Sequence, residues 1–191
     1  SGNTDAFITE FQGDAYVHNF ASYFGGSGDD TGKYIGLDPT GNHLWVAGVT
    51  SSADLPLVTG GSLKSSLSGA TDIFLTEWNR DPNQGLVPAY ATYFGSATPA
   101  NGEEIKGFQV GSLTGDLYIA GLTHGAGMPA ANNAYPGAVA NAYVTKLNNT
   151  VTSALWTHYI EGSAEQSIGI DTYLGRPLDH GGTNPGTTNT E

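Results

Sequence analysis

Along this chain the apolar residues come in short clusters of aromatic and β-branched side chains, each closed off by glycine, asparagine, proline or serine. "FITEF" (7–11), "HLWVAGV" (43–49), "DLYIAGL" (116–122) and "YVTKL" (143–147) have this form, and each reads as a β-strand. Pro39 presets φ and Gly41-Asn42 tolerates positive φ, so "PTGN" predicts a tight hairpin turn between "IGLD" and "LWVAG". "SLTGD" (112–116) predicts another. Leu44, Trp45, Val46 and Val49 place apolar groups on both faces of one strand, which predicts a sheet covered on both sides. A sheet with one wet face would alternate instead.

These phrases recur. "DAFITEF" (5–11) returns as "DIFLTEW" (72–78) and as "NAYVTKL" (141–147). "ASYFGGSGDD" (21–30) is echoed by "ATYFGSATPANGEE" (91–104) and by "THYIEGSAEQ" (157–166). "YIGLDPTGNHLWVAGVT" (34–50) matches "GFQVGSLTGDLYIAGLT" (107–123), and "SIGID" (167–171) begins the same phrase again. Four short strands per unit, covered on both faces and repeated, predict an all-β, β-propeller-like array of four-stranded antiparallel blades. A β-solenoid is the alternative, with repeats that are usually much shorter. The predicted domain spans 1–173: a partial blade at 5–24, full blades at 34–94 and 107–160, and a partial blade at 167–171. A Gly/Thr/Pro-rich tail, 174–191, is expected to be extended or disordered. Insertions at 51–70 and 124–140 join second to third strands. Leu55, Leu57, Leu63 and Leu67 predict that the first of them folds back onto the sheets.

The run "ASYFGGSGDDTGKYIGLDPTGNHLWVAGVTSSADLP" followed by "SGATDIFLTEWN" resembles the SBBP repeat, a β-propeller repeat of secreted and surface proteins of bacteria and archaea. The first copy carries its Y-F/L-G-G-S-G-x-D, G-N-x-x-V-x-G-x-T-S-S and S-x-x-S-D-A-F phrases. The second departs at "SATPANGEE" and "HGAGMPAA". The resemblance covers residues 4 to about 171. It implies a scaffold and no catalytic activity.

Charge narrows the partners. Eighteen acidic residues against six basic ones give a net charge of -12, without the Lys/Arg cluster that nucleic acid or an anionic membrane surface would need. No apolar run is long enough to span a bilayer. The absence of cysteine excludes disulfides, thiolate metal sites and a cysteine nucleophile. The low charged fraction and acidic balance point to an extracellular or cell-surface location.

Candidate chemistry is sparse. Asp5, Asp72 and Asn141 open the same strand in each unit, which predicts Asx-type hydrogen bonds to nearby backbone. Asp29 and Asp30, with Glu103 and Glu104 at the matching place, read as solvated turns; structural calcium is the alternative, and no other cofactor is expected. His18, His43, His124, His158 and His180 show no metal-ligand spacing. Asn148, in "NNT", is a glycosylation candidate. No G-x-S-x-G, phosphate-binding or dinucleotide motif occurs, so no catalytic residue is assigned.

Counting strands leaves an outer pair at the front without inner partners and one inner strand at the back without outer ones. Two copies placed head to tail would complete a composite blade, making a ring or a filament. The expected function is therefore structural: self-assembly with copies of itself, with Phe7, Ile8, Phe11, Ile168 and Ile170 as the assembly residues and glycans as further partners. The alternative is a piece of a larger propeller that binds carbohydrate or protein through rim loops.

Overall fold

The computed structural model describes residues 4–12, 17–97, 102–137 and 140–160. Among them lie ten strands and no helix, hence no helix long and apolar enough to cross a membrane. β1 (Ala6–Gln12) and β2 (Val17–Phe24) form an antiparallel hairpin. β3 (Asp30–Leu37), β4 (His43–Thr50), β5 (Asp72–Asp81) and β6 (Gly85–Phe94) pair in chain order as a four-stranded antiparallel meander. β7 (Glu103–Val110), β8 (Leu117–Thr123), β9 (Asn141–Leu147) and β10 (Ala154–Ile160) form a second such meander. The described residues close into no barrel or ring. The strand expected over 167–171 and the tail fall outside them.

The registers fix which residues are equivalent. Phe7 lies opposite Tyr23, Phe74 opposite Tyr93, and Tyr143 opposite Tyr159. Asp72 faces Thr50 and Asn141 faces Thr123. The hairpin thus corresponds to the last two strands of each four-stranded sheet.

Packing follows from the pleat, because successive side chains point to opposite faces. Phe74, Trp78 and Tyr93 point toward the hairpin and form one core with Ala6, Ile8 and Phe24. Phe24 stacks obliquely on Phe74, with ring centroids 5.3 Å apart. The other face of the same sheet, Trp45, Ala47, Ile73, Leu75 and Phe94, packs against Leu117, Ile119, Tyr143, Leu147 and Tyr159 of the next. The three sheets therefore stack in chain order, and "HLWVAGV" is apolar throughout because it has a neighbour on each side.

The limits of β3, β7 and β6 differ from the sequence reading, each for a local reason. β3 and β7 begin at Asp30 and Glu103, four residues before the expected starts, and run through bulges at Gly32/Tyr34 and Ile105/Gly107. The bulges break the apolar alternation that marks a strand. β6 runs on through Pro88, which sits at a register shift on the outer edge, where no neighbour needs its missing N–H.

Both insertions fold back, as the leucines of the first predicted. Leu55 is buried and Leu63 and Leu67 pack on the cores, whereas Leu57 stays largely exposed. Val58 and Ala131 form isolated parallel bridges to Ala91 and Thr157, equivalent positions on β6 and β10. A tyrosine anchors each loop from below. The Tyr93 hydroxyl donates to Ser52 O (2.8 Å) and accepts from Leu55 N–H (3.2 Å), and the Tyr159 hydroxyl accepts from Met128 N–H (3.0 Å).

Candidate functional site

The carboxylates singled out by repetition gather where one sheet meets the next. Backbone links come first: Asp30 N–H donates to Thr4 O (2.8 Å) and Glu103 N–H to Thr71 O (3.1 Å), at equivalent places in the two junctions. The side chains then join the link that follows the preceding sheet to the end of the second strand of their own. Asp30 Oδ2 accepts from Gly26 N–H (2.7 Å) and Ser52 Oγ (2.7 Å). Glu103 Oε1 accepts from Ser96 N–H (3.0 Å), Ser96 Oγ (2.6 Å) and Thr123 Oγ1 (3.1 Å). Asp30 and Glu103 are buried latches between sheets, which corrects the reading of this place as a solvated turn. The register also moves the match by one residue. Asp30 corresponds to Glu103, and Glu104 to Thr31. Asp29 is exposed and accepts from Thr4 Oγ1, while Glu104 pairs with Lys106 on the surface.

Glycine is required between the acids. A Cβ at Gly25 would lie 2.5 Å from Asp5 Oδ1 and 2.7 Å from Asp30 Oδ2; one at Gly95 would lie 2.8 Å from Asp72 Oδ1 and 2.7 Å from Glu103 Cγ. Asp72 Oδ2 accepts from Ser68 N–H (2.8 Å), the local backbone bond expected of it, and from Lys64 Nζ (2.8 Å), which was not expected. Lys64 also donates to Ser96 O (3.0 Å), so one ammonium ties an insertion loop to a junction.

Burial dominates the electrostatics. It pushes the Asp72 carboxyl above its ordinary pKa despite Lys64, and raises Glu103 likewise, with the charge of Asp72 adding to the effect. Tyr143, wholly buried beside both acids, is held well above the ordinary tyrosine value. Asp5 Oδ1, Asp30 Oδ1, Asp72 Oδ1 and Glu103 Oε2 have no donor among the described residues. No group of three or more His, Asp or Glu side chains gathers at metal-binding range among the described residues.

The other candidates serve turns and edges. Asn148 organises the β9–β10 turn: Oδ1 accepts from Thr152 and Ser153 N–H, and Nδ2, the atom a glycan would modify, donates to Thr150 and Thr152 hydroxyls. His43 Nδ1 lies 2.7 Å from Glu77 Oε1, where the next sheet has the Asp116–Lys146 ion pair. His18 and His158 are exposed on β2 and β10, His124 Nδ1 lies 3.0 Å from Gly102 O, and His180 is outside the described residues. A cleft of about 390 Å³ opens between the turns near Asp38, Leu113 and Asn149. Its polar lining is already engaged: Asp38 Oδ1 accepts from Asn42 and His43 N–H, and the Tyr90 hydroxyl donates to Val151 O.

The apolar end of the stack stands apart. Phe7 is 72% exposed, Phe11 55% and Tyr23 77%, all on the hairpin face that points away from the second sheet. Their equivalents in the second sheet, Phe74, Trp78 and Tyr93, and in the third, Tyr143, Leu147 and Tyr159, are buried by the preceding sheet. Ile8 points the other way, into the protein's own core. Ile168 and Ile170 lie outside the described residues. Ile35 and Leu37 on β3 are exposed on the same side. Sequence reasoning missed Tyr23, Ile35, Leu37 and Lys64. The first three belong to recurring phrases, and recurrence alone assigns a residue to the fold; the signal lay in their belonging to the first copies of those phrases.

The chain matches no protein-family model and no curated protein sequence.

Proposed function

We propose that this chain is a non-enzymatic structural protein of the extracellular space or cell surface, related to the SBBP repeat, whose sheets are blades of a β-propeller-like array that assembles head to tail. One observation carries the reading. Phe7, Phe11 and Tyr23 are exposed at positions whose counterparts in both later units are buried by a preceding sheet. A monomer rarely leaves aromatic groups of this size side by side in water.

The partner surface belongs to the same chain type. At the other end of the stack the far face of the third sheet offers Val144, Trp156 and Ile160, the side that in the second sheet covers its successor. Joining front to back is a heterologous contact, which yields a ring if the rotation closes and a filament if it does not. Negative-stain microscopy and sedimentation of the full chain test it. Polymers or rings are expected from the unaltered protein and none from a variant lacking residues 1–11. A well-folded, strictly monomeric chain at all accessible concentrations would end the proposal.

A further inference from the structure

The stacked sheets meet most closely at their first strands. Phe108 and Val110 of β7 lie against β3 at Gly36: a Cβ placed there would be 2.8 Å from Val110 Cγ2, 3.3 Å from Phe108 Cε1 and 3.6 Å from Val110 Cβ. Gly36 is thus the floor on which the next first strand rests, and a side chain there facing an intact Val110 would push the sheets apart. By register, Ile35 and Leu37 are the counterparts of Phe108 and Val110. They are 63% and 51% exposed where Phe108 and Val110 are 8% and 3%. Among the described residues the unit before them consists of β1 and β2. β1 points to the same gap, since among the described residues β5 and β9 each pair on both sides and β1 pairs with β2 alone.

Only one other segment of the chain repeats the phrase that supplies such a floor. Ile35-Gly36-Leu37-Asp38 is matched by Ile168-Gly169-Ile170-Asp171, whereas the third sheet has Gln109 at the glycine's place. We propose, resting on the head-to-tail reading above, that residues 167–171 of a second copy form the missing first strand, with Gly169 beneath Ile35 and Leu37 as Gly36 lies beneath Phe108 and Val110. A second copy is the source because of the direction of travel. Each link from a fourth strand to the next first strand, Phe24 to Asp30 and Phe94 to Glu103, advances one sheet along the stack. The third sheet, whose last strand ends at Ile160, packs on the face of the second sheet opposite the hairpin and so lies at the far end of the stack from Ile35.

The absence of native cysteine gives a direct test. An L37C chain and a G169C chain are mixed in equal amounts and oxidised, then separated on a non-reducing gel. G36C/V110C is the internal control, because a Cβ–Cβ separation of 3.6 Å lies within disulfide range. The proposal expects two-chain products at least tenfold above those from L37C mixed with T152C. Absence of that product while G36C/V110C closes overturns the strand assignment. If filaments still form, assembly through the aromatic face survives alone; if the chain is monomeric, both fall. Closure of L37C/G169C within one monomeric chain would overturn both as well. A second measurement guards against damage from the cysteines: Gly169→Val should abolish polymers without lowering the thermal midpoint of the dissociated subunit, and unchanged polymers would overturn the assignment.

Discussion

Lys64 Nζ lies 2.8 Å from Asp72 Oδ2, carrying a cation from an insertion loop into the junction between the two four-stranded sheets. Asp72 is fully buried, and Glu103 beside it is a second acid, so this ammonium is the nearest compensation for two carboxylates. Lys64→Met should strand Asp72 in an apolar setting. The expected loss is about 3 kcal/mol at neutral pH, the usual cost of removing one partner from a buried pair. Urea unfolding measures it. Lys64→Met combined with Asp72→Asn, the amide form that the third sheet carries as Asn141, should recover most of the loss.

Glu103 gives the pH dependence. Burial raises its pKa above the ordinary 4.5, so between that value and the raised one the folded state holds more protons than the unfolded state. Stability must therefore fall as pH rises through this window, and Asp72, raised above 3.8, acts in the same sense. Glu103→Gln keeps an acceptor for Ser96 and removes the titration. Denaturant midpoints across pH should decline less steeply in the variant, with the two proteins closest at the acid end. An unchanged slope would refute the account.

These two cases show where sequence reading stops. The strands of β4, β5, β8 and β9 were legible because burial on both faces writes an unbroken apolar run. The early starts of β3 and β7 were not, since "DTGK" and "EEIK" are polar and gain their place by pairing with β4 and β8 across a bulge. Lys64 sits in "GGSLKSSLSG", which by composition is an ordinary wet loop. Only the tertiary fold brings Asp72 to it. The exposed end was within reach of the sequence through arithmetic on the repeats, because the first phrases along the chain supply two strands where each later unit supplies four.

His43 tests the exchange of a charge pair between units. Burial works against its protonated form, but the hydrogen bond and charge of Glu77 outweigh this and raise its pKa above the ordinary 6.5. The pair's stabilisation is complete below that value and disappears as pH climbs through the raised one. A histidine NMR titration should place His43 above 6.5, and Glu77→Gln should move its midpoint downward. The group is partly exposed, so the effect on folding should be small beside the shift itself.

Phe7 and Phe74 are the same residue at the same register position in successive units, and they differ only in having a sheet in front of them. Phe74 is fully buried, and Phe74→Ala should cost about 3–5 kcal/mol of subunit stability through lost burial and the cavity left behind. Phe7→Ala removes a side chain that water already reaches in the single chain, so the dissociated subunit should change by no more than about 0.5 kcal/mol. Its effect should appear in association, as loss of polymers in sedimentation at concentrations where the unaltered chain assembles. Equal destabilisation of the subunit by both substitutions would mean that the hairpin face is covered from within the chain. Sedimentation and urea melts on the pair therefore separate a surface that serves folding from one that serves contact between copies.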